Sequence, residues 1–181
     1  MYISAKLSGF SSMIKFVQNG LDEVRRDAVI NVKGDNNGGS NLRLPDDPEN
    51  KRNKGQTIKT VLLEDMVDTI KTLANPQRLL IKMDIELFEC RTILGSKSLF
   101  RKPQKIPIEA IVMEWLFRSP KGNFSKMCPE EKVIKMTKMF LDAGYVPYKS
   151  SDLSELNCSN FGLDWRTDNV LWLMNSTTYI V

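Results

Sequence analysis

Apolar positions recur along this chain with two periods, and the switching between them predicts an alternation of strands and helices. The run Leu79 to Met83 (LLIKM) is broken only by Lys82, which predicts a strand buried on both faces of a parallel sheet. It ends abruptly in three closely spaced carboxylates, Asp84, Glu86 and Glu89. Ile108 to Trp115 (IEAIVMEW) predicts another buried strand, and Val170 to Met174 (VLWLM) the last one. Elsewhere the period lengthens: Leu63, Met66, Val67, Ile70 and Leu73 share one face of a helix ending near Asn75 and Pro76. A helix after the acids ends near Gly95, and Pro129 opens a further one, EEKVIKMTKMFLDAG, which Gly144 closes. The methionines on that helix are read as core filling. Tyr145 to Tyr148 (YVPY) follows as a strand whose proline suits a sheet edge.

Upstream, Met13 to Gln18 (MIKFVQ) alternates enough to predict a short strand. Ala28 to Lys33 predicts a second strand, the GDNNGGS cluster a turn, and Asn41 to Leu44 the returning arm of a hairpin. Pro45 to Gly55 reads as an exposed loop, and Lys59 to Leu62 as a short strand before the first helix. Strands alternating with helices place the chain in the α/β class, with a mostly parallel sheet and helical crossovers.

Composition narrows the function more than the fold. With 181 residues, 41% hydrophobic and 27% charged, the chain suits one globular domain. No apolar run approaches the roughly 18 residues that span a bilayer, and the N-terminal stretch MYISAKLSGF has no secretory h-region, so the chain as written reads as cytoplasmic. The net charge of +4 comes from 26 basic and 22 acidic residues mixed along the sequence. Its basic bunches, Lys51 to Lys59 and Lys97 to Lys105, read as solvated loops, and no nucleic-acid-binding module accompanies them. There is no histidine, which excludes Ser-His-Asp and Cys-His nucleophilic systems and the imidazole-based zinc sites. Acid/base work must fall to Asp, Glu, Lys, Tyr or Cys. Cys90, Cys128 and Cys158 are odd in number and far apart, and reduced thiols are expected. Asn123, Asn157 and Asn175 begin N-x-S/T sequons, and localisation stays open, because these gain meaning if a missing N-terminal signal or anchor sends the chain into the secretory pathway.

Ligands of open α/β sheets bind outside the carboxyl ends of the strands, so Asp84 stands where chemistry is usually done. A second reading stays open beside this one. Glu86 and Glu89 precede a helix, where carboxylates cap free amides and favour the dipole whether or not a ligand is present.

The order of LLIKMDIELFE, IEAIVMEW, a Cys-Pro-started helix running to AGYVPY, and DWRTDNVLWLM resembles the C-terminal part of the FkbM-type methyltransferase family. NGLDEVRRDAVINV and NNGGSNL resemble that family's post-strand segment and hairpin, so the likeness runs from about residue 13 to 175. It implies a class I S-adenosylmethionine-dependent fold, Rossmann-like, with strand order 3-2-1-4-5-7-6 and an antiparallel seventh strand. The implied activity is O-methylation of a small molecule or sugar, with no nucleic-acid partner.

MIKFVQ would be the third strand, LLIKMD the fourth, AIVMEW the fifth, VPY the sixth and VLWLM the seventh. Asp84, Glu86 and Glu114 would face the acceptor as catalytic carboxylates, and Asn19, Leu21 and Asp84 would contact the cofactor; no metal is implied. Two departures stand out. The family's Gly-rich cofactor loop and first two strands have no counterpart in residues 1–12, which would leave the fourth strand with a bare edge, and Leu87 replaces a glycine of the K-x-D-x-E-G-x-E segment. The expectation is an altered exit from the fourth strand and, on the alternative reading, a non-catalytic remnant acting as an interaction module. A third reading uses Asp84, Glu86 and Glu114 to hold magnesium in a hydrolase.

Overall fold

The computed structural model describes residues 13–15, 17–33, 36–45, 55–101, 104, 106–117 and 127–175, with side chains for all of these but 32, 33 and 36–41. Most of the expected Pro45 to Gly55 loop, part of the basic stretch Lys97 to Lys105, the tip of the GDNNGGS turn and Asn123 lie outside them. The fold is α/β, built on two mixed sheets rather than one mostly parallel sheet.

The first sheet has the order β1-β4-β2-β3, formed by β1 (Gly20–Leu21), β2 (Asp27–Lys33), β3 (Asn36–Arg43) and β4 (Gln56–Val61). The expected hairpin is present as β2 and β3, but β3 begins at Asn36, so most of the supposed turn cluster is strand. Met13 to Gln18 is not a strand, Phe16 lying outside the described residues. Met13 is 77% exposed and Val17 is also exposed, because only Gly20 and Leu21 find a partner, parallel β4. Without a ladder to join, an alternating pattern has nothing to hold it extended.

The second sheet has the order β5-β6-β8-β7, from β5 (Leu79–Met83), β6 (Ile108–Glu114), β7 (Tyr145–Lys149) and β8 (Asn169–Met174). β5 and β6 are parallel, whereas β8 runs antiparallel between β6 and β7. Pro147 sits in β7 at the sheet edge, where its missing amide costs no ladder bond on the outer side. β5 occupies the opposite edge. Leu80 is 71% exposed and Lys82 is exposed, while Leu79, Ile81 and Met83 turn inward; β5 is buried on one face and not on both, and no strand pairs with its outer edge among the described residues.

Helices make the connections. α1 (Leu63–Ala74) joins the two sheets, α2 (Glu89–Gly95) and a 3-10 turn (Lys97–Phe100) link β5 to β6, and α3 (Glu130–Asp142) links β6 to β7. α1 is closed by Asn75 in the left-handed conformation, as the Asn-Pro ending predicts. Leu63 and Val67 are buried, but Leu73 is 61% exposed, so the helix docks by its N-terminal turns. Gly144, at φ 92°, lets the chain leave α3 directly into β7. Beneath the helices the aromatic side chains form one cluster, with Trp115 against Trp165 at 4.8 Å and Phe140 against Trp172 at 4.7 Å. Their polar ends are used: Trp115 Nε1 donates to the Gly162 carbonyl and the Tyr145 hydroxyl to the Ile108 carbonyl. No helix among the described residues is long and apolar enough to cross a membrane.

Two devices lock the elements together. Cys90, at the start of α2, is joined by a disulfide to Cys128, just before α3; the expectation of reduced thiols fails because folding brings these Cα atoms to 5.8 Å. Only Cys158 is free. The second device is electrostatic. Asp22, fully buried after β1, accepts from Arg91 Nε of α2 at 2.6 Å and from Arg26 Nε at 2.7 Å. Next to it, Glu23 takes Arg91 and, from α3, Lys132 at 2.8 Å. Gly95 allows the approach, since a Cβ there would stand 2.4 Å from the Glu23 Cα.

Burial pushes the Asp22 carboxyl up, but the hydrogen bonds from Arg91, the Glu23 amide and Arg26 outweigh it and hold the group below its ordinary range. The stabilisation from this pairing is complete above the ordinary carboxylate range and is lost as acid protonates Asp22 below it. Arg91→Ala removes one of the two guanidinium groups on a buried carboxylate, with Arg26 still in place, and is expected to cost about 2 kcal/mol in denaturant unfolding, whereas loss of the exposed Arg25 to Asp65 pair should barely register. Replacing Cys90 and Cys128 together by alanine opens a loop of sequence separation 38, and the chain-entropy argument puts the loss at roughly 4 kcal/mol by the same measurement.

Candidate functional site

β5 and β6 are neighbours and parallel, so their carboxyl ends meet at one side of the sheet. Met83 and Met113 are register partners, which puts Asp84 and Glu114 at equivalent next positions. Just beyond, Glu86 (φ 53°) and Leu87 (φ 74°) are successive residues in the left-handed region. Leu87 therefore keeps a glycine-type conformation without being glycine, and the altered exit expected from the sequence is a strained turn rather than a helical one. The turn folds Glu86 back toward the strand ends. One carboxylate oxygen from each of Asp84, Glu86 and Glu114 lies within 4.8 Å of the others.

These acids have unequal surroundings. Asp84 is exposed and paired with Lys82 Nζ at 2.9 Å. Glu114 is half-buried, and its Oε2 has no hydrogen-bond partner. Partial burial raises the Glu114 pKa, with further upward pushes from the charges of Asp84 and Glu86 and from a hydrogen bond to Asp84. Carboxyl groups so close share a proton more readily than they carry three charges. The same three oxygens are the donor set that a hard cation such as magnesium would take.

Glu89 separates from its sequence neighbours. It lies at the start of α2, almost wholly buried, with Oε1 accepting from the Ile85 amide and Oε2 unpartnered. Desolvation raises its pKa to about 7. The capping reading holds for this residue, which ties the β5 exit to the helix.

Asn19 and Leu21 stand in the other sheet. Asn19 Nδ2 donates to the Lys59 carbonyl, and Leu21 pairs with Val61 while its half-buried side chain packs on the core. Both hold β1 in place. The structure thus brings Asp84, Glu86 and Glu114 together and leaves Asn19 and Leu21 in structural contacts.

A feature the sequence reading passed over lies at the same end of the sheet. Lys149, Ser150, Arg166 and Asn169 line a cavity of about 610 Å³, and Asn169 is the register partner of Glu114. Its signal was a pair of cations flanking the polar connection, Lys149 just as β7 ends and Arg166 shortly before β8. Comparison with protein-family models, curated proteins and solved structures finds no match.

Because Glu89 is protonated more readily folded than unfolded, its own contribution to stability is greatest below its ordinary pKa near 4.5 and declines as pH rises through about 7. Glu89→Gln keeps the acceptor for Ile85 and should flatten that decline, by a few kcal/mol at pH 8, in unfolding curves taken across the pH range. Glu86→Gly relieves a left-handed residue and is expected to raise stability by about 1 kcal/mol in the same assay.

Proposed function

We propose that this chain is the C-terminal part of an FkbM-type, S-adenosylmethionine-dependent methyltransferase-like domain, with an acceptor hydroxyl of a small molecule or sugar at the carboxyl ends of β5 and β6. The observation that carries this reading is the strand order β5-β6-β8-β7 with β8 antiparallel, which coincides with 4-5-7-6 in the class I arrangement. The acid cluster and the cavity beside Asn169 at that same end lend it further support.

Methyl transfer from an activated donor rests largely on alignment, with a base to receive the hydroxyl proton. In this reading Glu114 is the base: its surroundings raise its proton affinity, and Asp84, held by Lys82, orients the acceptor. Glu86 completes the acidic wall. Of the residues expected to contact the cofactor, Asp84 stands in this cluster, whereas Asn19 and Leu21 hold β1 in the other sheet, and no step is assigned to them.

One observation favours a second reading, a non-catalytic interaction module. Among the described residues β5 presents an open edge with Leu80 exposed, a form that sheets complete by pairing with another chain.

Calorimetric titration of the full-length protein with S-adenosylmethionine separates the two. Micromolar binding, with Glu114→Gln lowering kcat about a hundredfold and leaving KM in place, is the expected outcome. Absence of cofactor binding sinks the methyltransferase reading and leaves the interaction module.

A further inference from the structure

Asn157 lies on the connection between β7 and β8, exposed, in the sequence Asn157-Cys158-Ser159. Its backbone is anchored, since the Trp165 indole donates to the Asn157 carbonyl at 2.6 Å and so pins this loop to the aromatic core. Its side chain points the other way in its bonding. The Asn157 Oδ1 accepts from the Ser159 amide at 2.8 Å and from the Ser159 hydroxyl, while Nδ2 makes no hydrogen bond among the described residues. An asparagine held by the hydroxyl two residues on, with its amide nitrogen free and facing solvent, is the acceptor that an N-x-S/T sequon specifies.

A sequon is a short motif, and most of its weight comes from compartment. Here the Cys90 to Cys128 disulfide supplies that independently, because structural disulfides between distant cysteines form where the surroundings are oxidising and are rare where thiols are kept reduced. The same compartments carry the machinery that glycosylates asparagine. Asn175, exposed just after β8, begins a further sequon.

We propose that Asn157 is N-glycosylated and that the protein matures in an oxidising compartment rather than in the cytoplasm. In the transfer, Asn157 Nδ2 bonds to the anomeric carbon of a diphospholipid-linked oligosaccharide and the bond from that carbon to the diphosphate oxygen breaks. The lipid diphosphate leaves with the electron pair, and one amide proton goes to solvent. Cys90 and Cys128 lose two protons and two electrons to a partner disulfide, which is reduced to a dithiol.

The test is made on full-length protein expressed in eukaryotic cells from its own gene, and it reads mass rather than activity, so it stands apart from the methyltransferase reading. Endoglycosidase is expected to increase gel mobility, and mass spectrometry should find the glycan on the peptide containing Asn157. Asn157→Gln should lose that modification, whereas Ser159→Thr, which keeps the hydroxyl and the turn, should retain it. Alkylation without prior reduction should spare Cys90 and Cys128. An unmodified Asn157 in folded wild-type protein, or free thiols at both Cys90 and Cys128, overturns the proposal.

Discussion

A buried carboxylate must be matched, and Asp22 is matched across the join between the two sheets. Its partner, Arg91, belongs to α2, and the neighbouring Glu23 reaches Lys132 on α3. The two sheets are therefore tied less by a shared ladder than by one acidic turn inserted between two helices. Such a pair is weak evidence of net stabilisation, but it ties one turn of the first sheet to α2 and α3 at the same point. The position of the β5 exit, and with it the acid cluster, follows from where α2 is held.

The strands and helices of the second sheet could be read closely from the chain. Long apolar runs such as IEAIVMEW and a helix with clear punctuation, Pro129 to Gly144, carry their own boundaries. The errors fell where local pattern depends on a distant partner. MIKFVQ alternates like a strand but has no ladder, and Leu80 counts as apolar in LLIKM although the sheet ends beside it. Asn36 to Ser40 looks like turn chemistry, yet β2 offers a partner and pairing overrides propensity.

The candidate site was legible in part. That Asp84, Glu86 and Glu114 converge follows from parallel pairing of two strands that each end in an acid. Glu89 could not be set apart by spacing, because four residues from Ile85 can mean either a capping carboxylate or a site carboxylate. The Cys90 to Cys128 bond escaped for a similar reason. A lone cysteine on each of two segments has no spacing rule, and only the packing of α2 against α3 brings them together.

Cys90 is the residue before Arg91, and Cys128 precedes the helix that carries Lys132. The cross-link thus restrains the separation of the two cations that hold Glu23. Covalent closure preorganises an electrostatic receptor, and the first sheet plugs into it. Oxidation of two thiols in one half of the molecule thereby governs how firmly the other half is seated, with no direct bond between the sulfur atoms and the segment they control.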